Sequence, residues 1–185
     1  MKDQFVIAYL ADLTMTDEVV SHAVYLARML KKGLILLYVE DKRYGNMPYA
    51  ETSAILQEIE SKYPDVNPAH IAMRGNTKDV INALPTRFNS VVAVVGVNAK
   101  ARHGAPTHYR QVLRLFSECK IAYLTVQDRL QDSKMYNNVA YSVDFRKESK
   151  DKLIWASYFA RFNNSQLNML TNIYAGRILI INSDF

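Results

Sequence analysis

The chain has one cysteine, Cys119, in 185 residues. No intramolecular disulfide can form, and nothing in the sequence asks for an oxidising compartment. The opening Met-Lys-Asp-Gln-Phe lacks the apolar core of a signal peptide, and no apolar run approaches the roughly 20 residues that span a bilayer. A cytoplasmic protein without membrane contact is therefore the expectation. No Gly-x-Ser-x-Gly elbow is present, which disfavours an α/β hydrolase. His103 and His108 have no cysteine or carboxylate close by in sequence, so no metal site is expected and no catalytic residue is assigned. Cys119 precedes an apolar stretch and reads as a packed thiol, while His22 falls among the polar positions of its helix. A net charge of +5, spread along the chain, is too weak a basic signal to imply nucleic acid.

What the sequence does have is the composition of a packed protein, with 49% hydrophobic and 22% charged residues. The stretch from His70 to Lys100 sets the pattern: a strand, the turn Gly75-Asn76-Thr77 with Asn76 or Thr77 as helix cap, a helix, then the wholly apolar Val91 to Val95 ending at Gly96. Apolar strands without alternation are buried on both faces, as parallel strands between helices are. Phe5 to Leu10 is another such strand. After it Thr14 or Thr16 can cap a helix with Val19, Val20, Ala23, Leu26, Ala27 and Leu30 on its apolar face, ending at Lys31-Lys32-Gly33. Leu34 to Val39 follows as a strand, then a helix from about Ala50 to Tyr63. Beyond Gly96 come a basic loop, a helix from about Tyr109 to Cys119 with Val112, Leu113, Leu115 and Phe116 as its apolar side, and a fifth strand, Ile121 to Val126. Strands alternating with helices at this spacing predict one parallel sheet covered on both faces.

Past a polar linker at 129–134 the chain repeats. Ala23-Val-Tyr-Leu-Ala-Arg28 recurs as Ala156-Ser-Tyr-Phe-Ala-Arg161, and the same offset of 133 residues sets Val139 on Val6, Leu167 on Leu34 and Leu170 on Leu37. Two units are thus expected, 1–128 and an incomplete second copy over 135–185. After Tyr174 the sequence has no evident counterpart in the first copy. The aromatics Tyr136, Tyr141, Trp155, Tyr158, Phe159 and Phe162 gather in the second, which is too small to bury them all and so is expected to dock on another surface.

The order of elements, with Arg74-Gly-Asn-Thr-Lys-Asp-Val-Ile81 and the strand end Val94-Val95-Gly96, resembles the universal stress protein family, and the duplicated start resembles its tandem form. The resemblance implies a three-layer, adenine nucleotide alpha-hydrolase-like fold with strand order 3-2-1-4-5. Nucleotide-binding members of that family end the first strand with an aspartate and follow the fourth with Gly-x-x-Gly, nine residues, then Gly-Ser or Gly-Thr. Here Gly96 holds the first place, Ala99 the second, and Tyr109-Arg110 stands at the closing pair. Gly104 offers relief to a rearranged loop. The offset aligns Asp144 with Ala11, which leaves Asp12 one position late.

With the glycines broken, the resemblance implies a non-enzymatic stress-response protein without a cofactor. Such a protein would act through protein contacts, as a homodimer or with a protein partner not named by the sequence. The alternative is a member that holds ATP or AMP with magnesium among Asp12, Val39, Gly96, Asn98, Lys100 and Arg102, with slow hydrolysis. It rests on a run free of acids from Val97 to Ser117, in which side-chain cations replace the missing backbone amides.

Overall fold

The computed structural model describes residues 4–44, 47–130, 136–143, 150–173 and 177–183. Contacts divide the chain into two compact units, Met1–Arg129 and Leu130–Phe185.

The first unit runs β1 (Phe5–Tyr9), α1 (Thr16–Leu30), β2 (Gly33–Glu40), α2 (Tyr49–Ser61), β3 (Pro68–Arg74), α3 (Thr77–Asn82), α4 (Leu84–Arg87), β4 (Ser90–Gly96), α5 (Tyr109–Phe116) and β5 (Ala122–Val126). All five strands are parallel, in the order β3-β2-β1-β4-β5. This is the order that the family resemblance implies. Right-handed crossovers carry α1 and α2 over one face of the sheet and α3 to α5 over the other. The central strands have no solvated side: Val6, Ile7, Ala8, Leu36, Leu37, Tyr38, Val94 and Val95 are all fully buried. That is why their sequences show no alternation.

Several local expectations are corrected. Neither Thr14 nor Thr16 caps α1, whose N-cap is Met15 with no side-chain bond. The Thr14 hydroxyl donates to Asp12 and that of Thr16 to the Leu13 carbonyl. The helix after Gly75 is two short ones, α3 and α4, because Pro85 has no N–H with which to continue α3. Its N-cap is Asn76, whose Oδ1 accepts from the Lys78 amide. His22 is buried, with Nε2 on the Asp128 carbonyl, and Leu113 of α5 faces solvent.

The second unit runs β6 (Asn138–Val143), α6 (Lys150–Asn163), β7 (Gln166–Ile173) and β8 (Arg177–Ser183). The offset of 133 carries over residue by residue. Phe5 pairs with Gly33 and Asn138 with Gln166; Val6 pairs with Leu34 and Val139 with Leu167. The helix endings match too. Lys31 and Asn164 are both left-handed, Lys32 N donates to Ala27 O and Ser165 N to Ala160 O, and Gly33 N to Gln4 O as Gln166 N to Asn137 O. Thereafter the units part. In the first, β3 joins β2 in parallel after a helix; in the second, β8, over Arg177–Ser183, lies antiparallel to β7, a pairing unlike any in the first unit. Among the described residues, the second unit's core is built on Tyr141, Ala160 and Leu167. Asp144 and the greater part of the 129–134 linker lie outside the described residues.

Candidate functional site

In an open parallel sheet the crevice for a ligand lies beyond the carboxyl ends of the strands, where the order reverses. Here that point is between β1 and β4, and it is filled. The space among Tyr9, Ala11, Asp12, Met15, Gly96 and Thr107 amounts to about 10 Å³, at most a single water. Met15 is the principal filler: a Cβ placed on Gly96 would stand 2.8 Å from the Met15 Cβ and 3.0 Å from its Sδ. Gly96 therefore makes room for a side chain of α1's N-cap.

Asp12, just beyond β1, is held by its neighbours. It accepts from the Thr14 amide at 3.1 Å and hydroxyl at 2.7 Å, and from the buried Thr107 hydroxyl at 3.2 Å. Thr107 closes the loop after β4, since the Asn98 amide donates to its carbonyl at 2.9 Å. The loop is pinned at both ends and tied to Asp12. The Asn98 side chain accepts from the Lys100 amide within the same turn. The left-handed position in this loop is Gly104, at φ 90°, while Ala99 carries no positive φ. An alanine at this place therefore bears no left-handed strain.

Of the other sequence candidates, Val39 is fully buried in the core of the sheet, while Lys100 and Arg102 project into solvent. The structure thus brings Asp12, Gly96 and the loop that carries Asn98, Lys100 and Arg102 together, with Lys100 and Arg102 exposed and Val39 inside the sheet. His103, His108 and Tyr109 form a ladder of rings with centroids 5.2 and 4.8 Å apart, and Arg110 lies over Tyr109. Among the described residues no group of three or more His, Cys, Asp or Glu is placed to hold a metal, and no helix is long and apolar enough to cross a membrane.

The most ordered polar cluster lies one strand over, and sequence reasoning missed it. Asp41, buried just past β2, accepts from Arg43 Nε and Nη2, from the Arg43 amide, and from the amide and hydroxyl of Thr77 at the head of α3. The Arg43 guanidinium, helped by the Thr77 donors, holds the Asp41 carboxyl well below the usual range. Tyr9 reaches the same place from β1; burial pushes its hydroxyl up, so it stays a neutral phenol. The available signal was the acidic pair Glu40-Asp41 after the six-residue apolar run Leu34–Val39, with Thr77 at the start of the helix after the next strand.

Open cavities of about 390 and 340 Å³ flank Arg43, the first beside Glu40, Arg74 and Asn76, the second beside Tyr44, Lys78, Gln111 and Arg114. Most of their cations are matched internally: Arg74 bonds Glu40, Arg43 bonds Asp41 and Lys78 bonds Glu118. A larger cavity of about 950 Å³ lies at the amino ends of the strands, near Phe5, Arg28, Gly33 and Asn89. Cys119 is half-buried, its thiol donates to the Ile81 carbonyl at 3.3 Å, and burial pushes its pKa up. Such a thiol is a poor nucleophile.

No protein-family model matches the sequence, and no curated protein does. Solved structures do. A universal stress protein in complex with cAMP is 16% identical, with TM-score 0.52, covering 67% of this chain and 97% of its own. A universal stress protein from Archaeoglobus fulgidus is 10% identical, with TM-score 0.53, over 69% of this chain and all of its own. A second one from that organism, 12% identical with TM-score 0.66, matches over 94% of this chain and 67% of its own.

Proposed function

We propose that this chain, which has the universal stress protein fold, is a non-enzymatic cytoplasmic stress-response protein that acts through protein contacts with its nucleotide crevice closed. The supporting observation is the filled space between β1 and β4. Met15 occupies the volume over Gly96, and Asp12 accepts from Thr14 and Thr107. To admit a nucleoside there, α1's first turn and the loop after β4 would both have to move, breaking the Thr107 bond and exposing Met15. The aromatic second unit supplies the contact surface, with a homodimer as the simplest assembly. The match that extends over 94% of this chain is in keeping with a second stress-protein-like unit.

Calorimetric titration with ATP and magnesium, after native mass spectrometry for carried-over nucleotide, is the test. Closed-crevice chemistry gives no saturable heat up to millimolar ligand; micromolar binding overturns it. The second reading, an ATP- or AMP-binding protein, draws on the solvent-facing Lys100 and Arg102 and on the cAMP held by one protein of this fold. On that reading Lys100→Ala with Arg102→Ala abolishes binding and leaves the circular dichroism unchanged. On the first, the pair alters surface charge alone.

A further inference from the structure

In the first unit β1 is paired on both sides. Successive residues of a parallel strand send their backbone groups to opposite sides. Gly33 N donates to Gln4 O and Leu10 N to Leu37 O, so the even residues of β1 face β2, while Phe5 N reaches Asn89 O on the β4 side. The same alternation holds in β6. Gln166 N donates to Asn137 O, so the odd residues face β7, and Asn138, Ala140 and Ser142, at the positions of Phe5, Ile7 and Tyr9, face the other way. Where β1 has β4, no described strand pairs with β6.

The helix above shows the same omission. In the first unit α1 packs on β4 and β5 as well as on β1 and β2. His22 reaches the carbonyl of Asp128 beyond β5, and Val19 lies against Gly96 of β4. At the His22 and Met29 positions α6 has Trp155 and Phe162. Phe162 is 54% and the neighbouring Tyr158 47% exposed. Trp155, Tyr158 and Phe162 lie ring against ring along that flank, with centroids 6.3 and 5.9 Å apart. Asn138 to Val143 has neither charge nor proline, the usual guards of an edge strand. Among the described residues, a strand edge without a strand partner thus lies beside an aromatic flank, at the place where the other unit has a strand.

We infer that a second copy of the chain completes this edge, β6 pairing antiparallel with β6 of the partner about a two-fold axis normal to the sheet at Ala140. The outward groups of Asn138, Ala140 and Ser142 are disposed evenly about Ala140, so the edge is complementary to itself, and its lack of charge gives nothing for a different strand to read. That symmetry sets both α6 helices on one face of a continuous sheet, with their aromatic flanks against each other. Each flank then covers strand, as α1 covers β4. This deepens the protein-contact reading above and rests on it.

The test is sedimentation velocity on the full chain from 0.5 to 100 μM, with the fluorescence of Trp155, the chain's one tryptophan, followed in parallel. A monomer–dimer equilibrium with a blue shift of Trp155 on association is expected. Ala140→Pro removes one outward N–H without touching the β6–β7 ladder, and Phe162→Glu charges the flank; each raises the dissociation constant at least tenfold. Leu113→Glu, in the first unit, leaves it unchanged. Circular dichroism below the dissociation midpoint checks that the variants fold. Should Ala140→Pro not fold, Ala140→Cys in a Cys119→Ser background decides, by forming a covalent dimer on oxidation. A monomer at 100 μM, or a dimer insensitive to either edge or flank variant, overturns the inference. Nucleotide binding by an intact dimer defeats the closed crevice alone, and a monomer that binds no nucleotide defeats the dimer alone.

Discussion

Asp41 is a single side chain on which three elements depend: the end of β2, the turn carrying Arg43 and the head of α3. Asp41→Asn puts an amide among donors and is expected to cost about 1–3 kcal/mol at pH 7, read from urea unfolding. The native carboxyl is held below its ordinary range, whereas the unfolded one takes a proton near pH 3.9. The native state then binds fewer protons, so the stabilisation is complete above about pH 5 and is lost as pH falls. The gap between wild type and variant should accordingly narrow at pH 3. His22 works at higher pH. Burial, partly offset by the Asp128 carbonyl, lowers its pKa, so the unfolded chain protonates first as pH drops below about 6.5 and native stability declines. His22→Gln should flatten the difference in melting temperature between pH 7.5 and 5.5. Both residues were visible as letters, but burial, which decides their chemistry, comes from strands and loops distant in sequence.

At the scale of elements, α1 ends on Lys31 at φ 54°, with Lys31 N and Lys32 N bonding Arg28 O and Ala27 O. A Cβ is strained there, so Lys31→Gly should stabilise by about 1 kcal/mol. Asn164, at the matching place after α6, tolerates the conformation; Asn164→Ala should destabilise the second unit by a similar amount. Gly96→Ala drives a Cβ into Met15 and is expected to cost about 1–3 kcal/mol, measured by thermal unfolding. The strands of the first unit were legible within two residues because apolar runs bounded by turns leave few alternatives. Helix beginnings were read less well. Thr14 was available as a cap, but Asp12 offers its hydroxyl a charged acceptor at 2.7 Å, and that competing bond prevails.

At the scale of the molecule, two cores of unequal size share one chain. The first includes a cluster that joins side chains from all five strands with those of α3, α4 and α5; among the described residues the second rests on Tyr141, Ala160 and Leu167 with Val139, Ala156 and Met169 against them. Unfolding should therefore be biphasic in denaturant. Trp155 should report the earlier transition, while far-ultraviolet circular dichroism follows both. Coincident transitions by the two probes would contradict this. The internal offset foretold the β6–α6–β7 register because a duplicated hydrophobic pattern can bury itself in only one alignment; a one-residue slip would turn every side chain to the opposite face. By itself the sequence determined the parallel sheet, its strand lengths and the repeated register, since these follow from local periodicity and turn chemistry. The tertiary structure alone decided that Met15 fills the crevice, that Thr107 secures Asp12 and that Asp41 anchors α3. Each of those contacts depends on loops meeting at the ends of non-consecutive strands, and no local pattern fixes which side chain reaches the common space first.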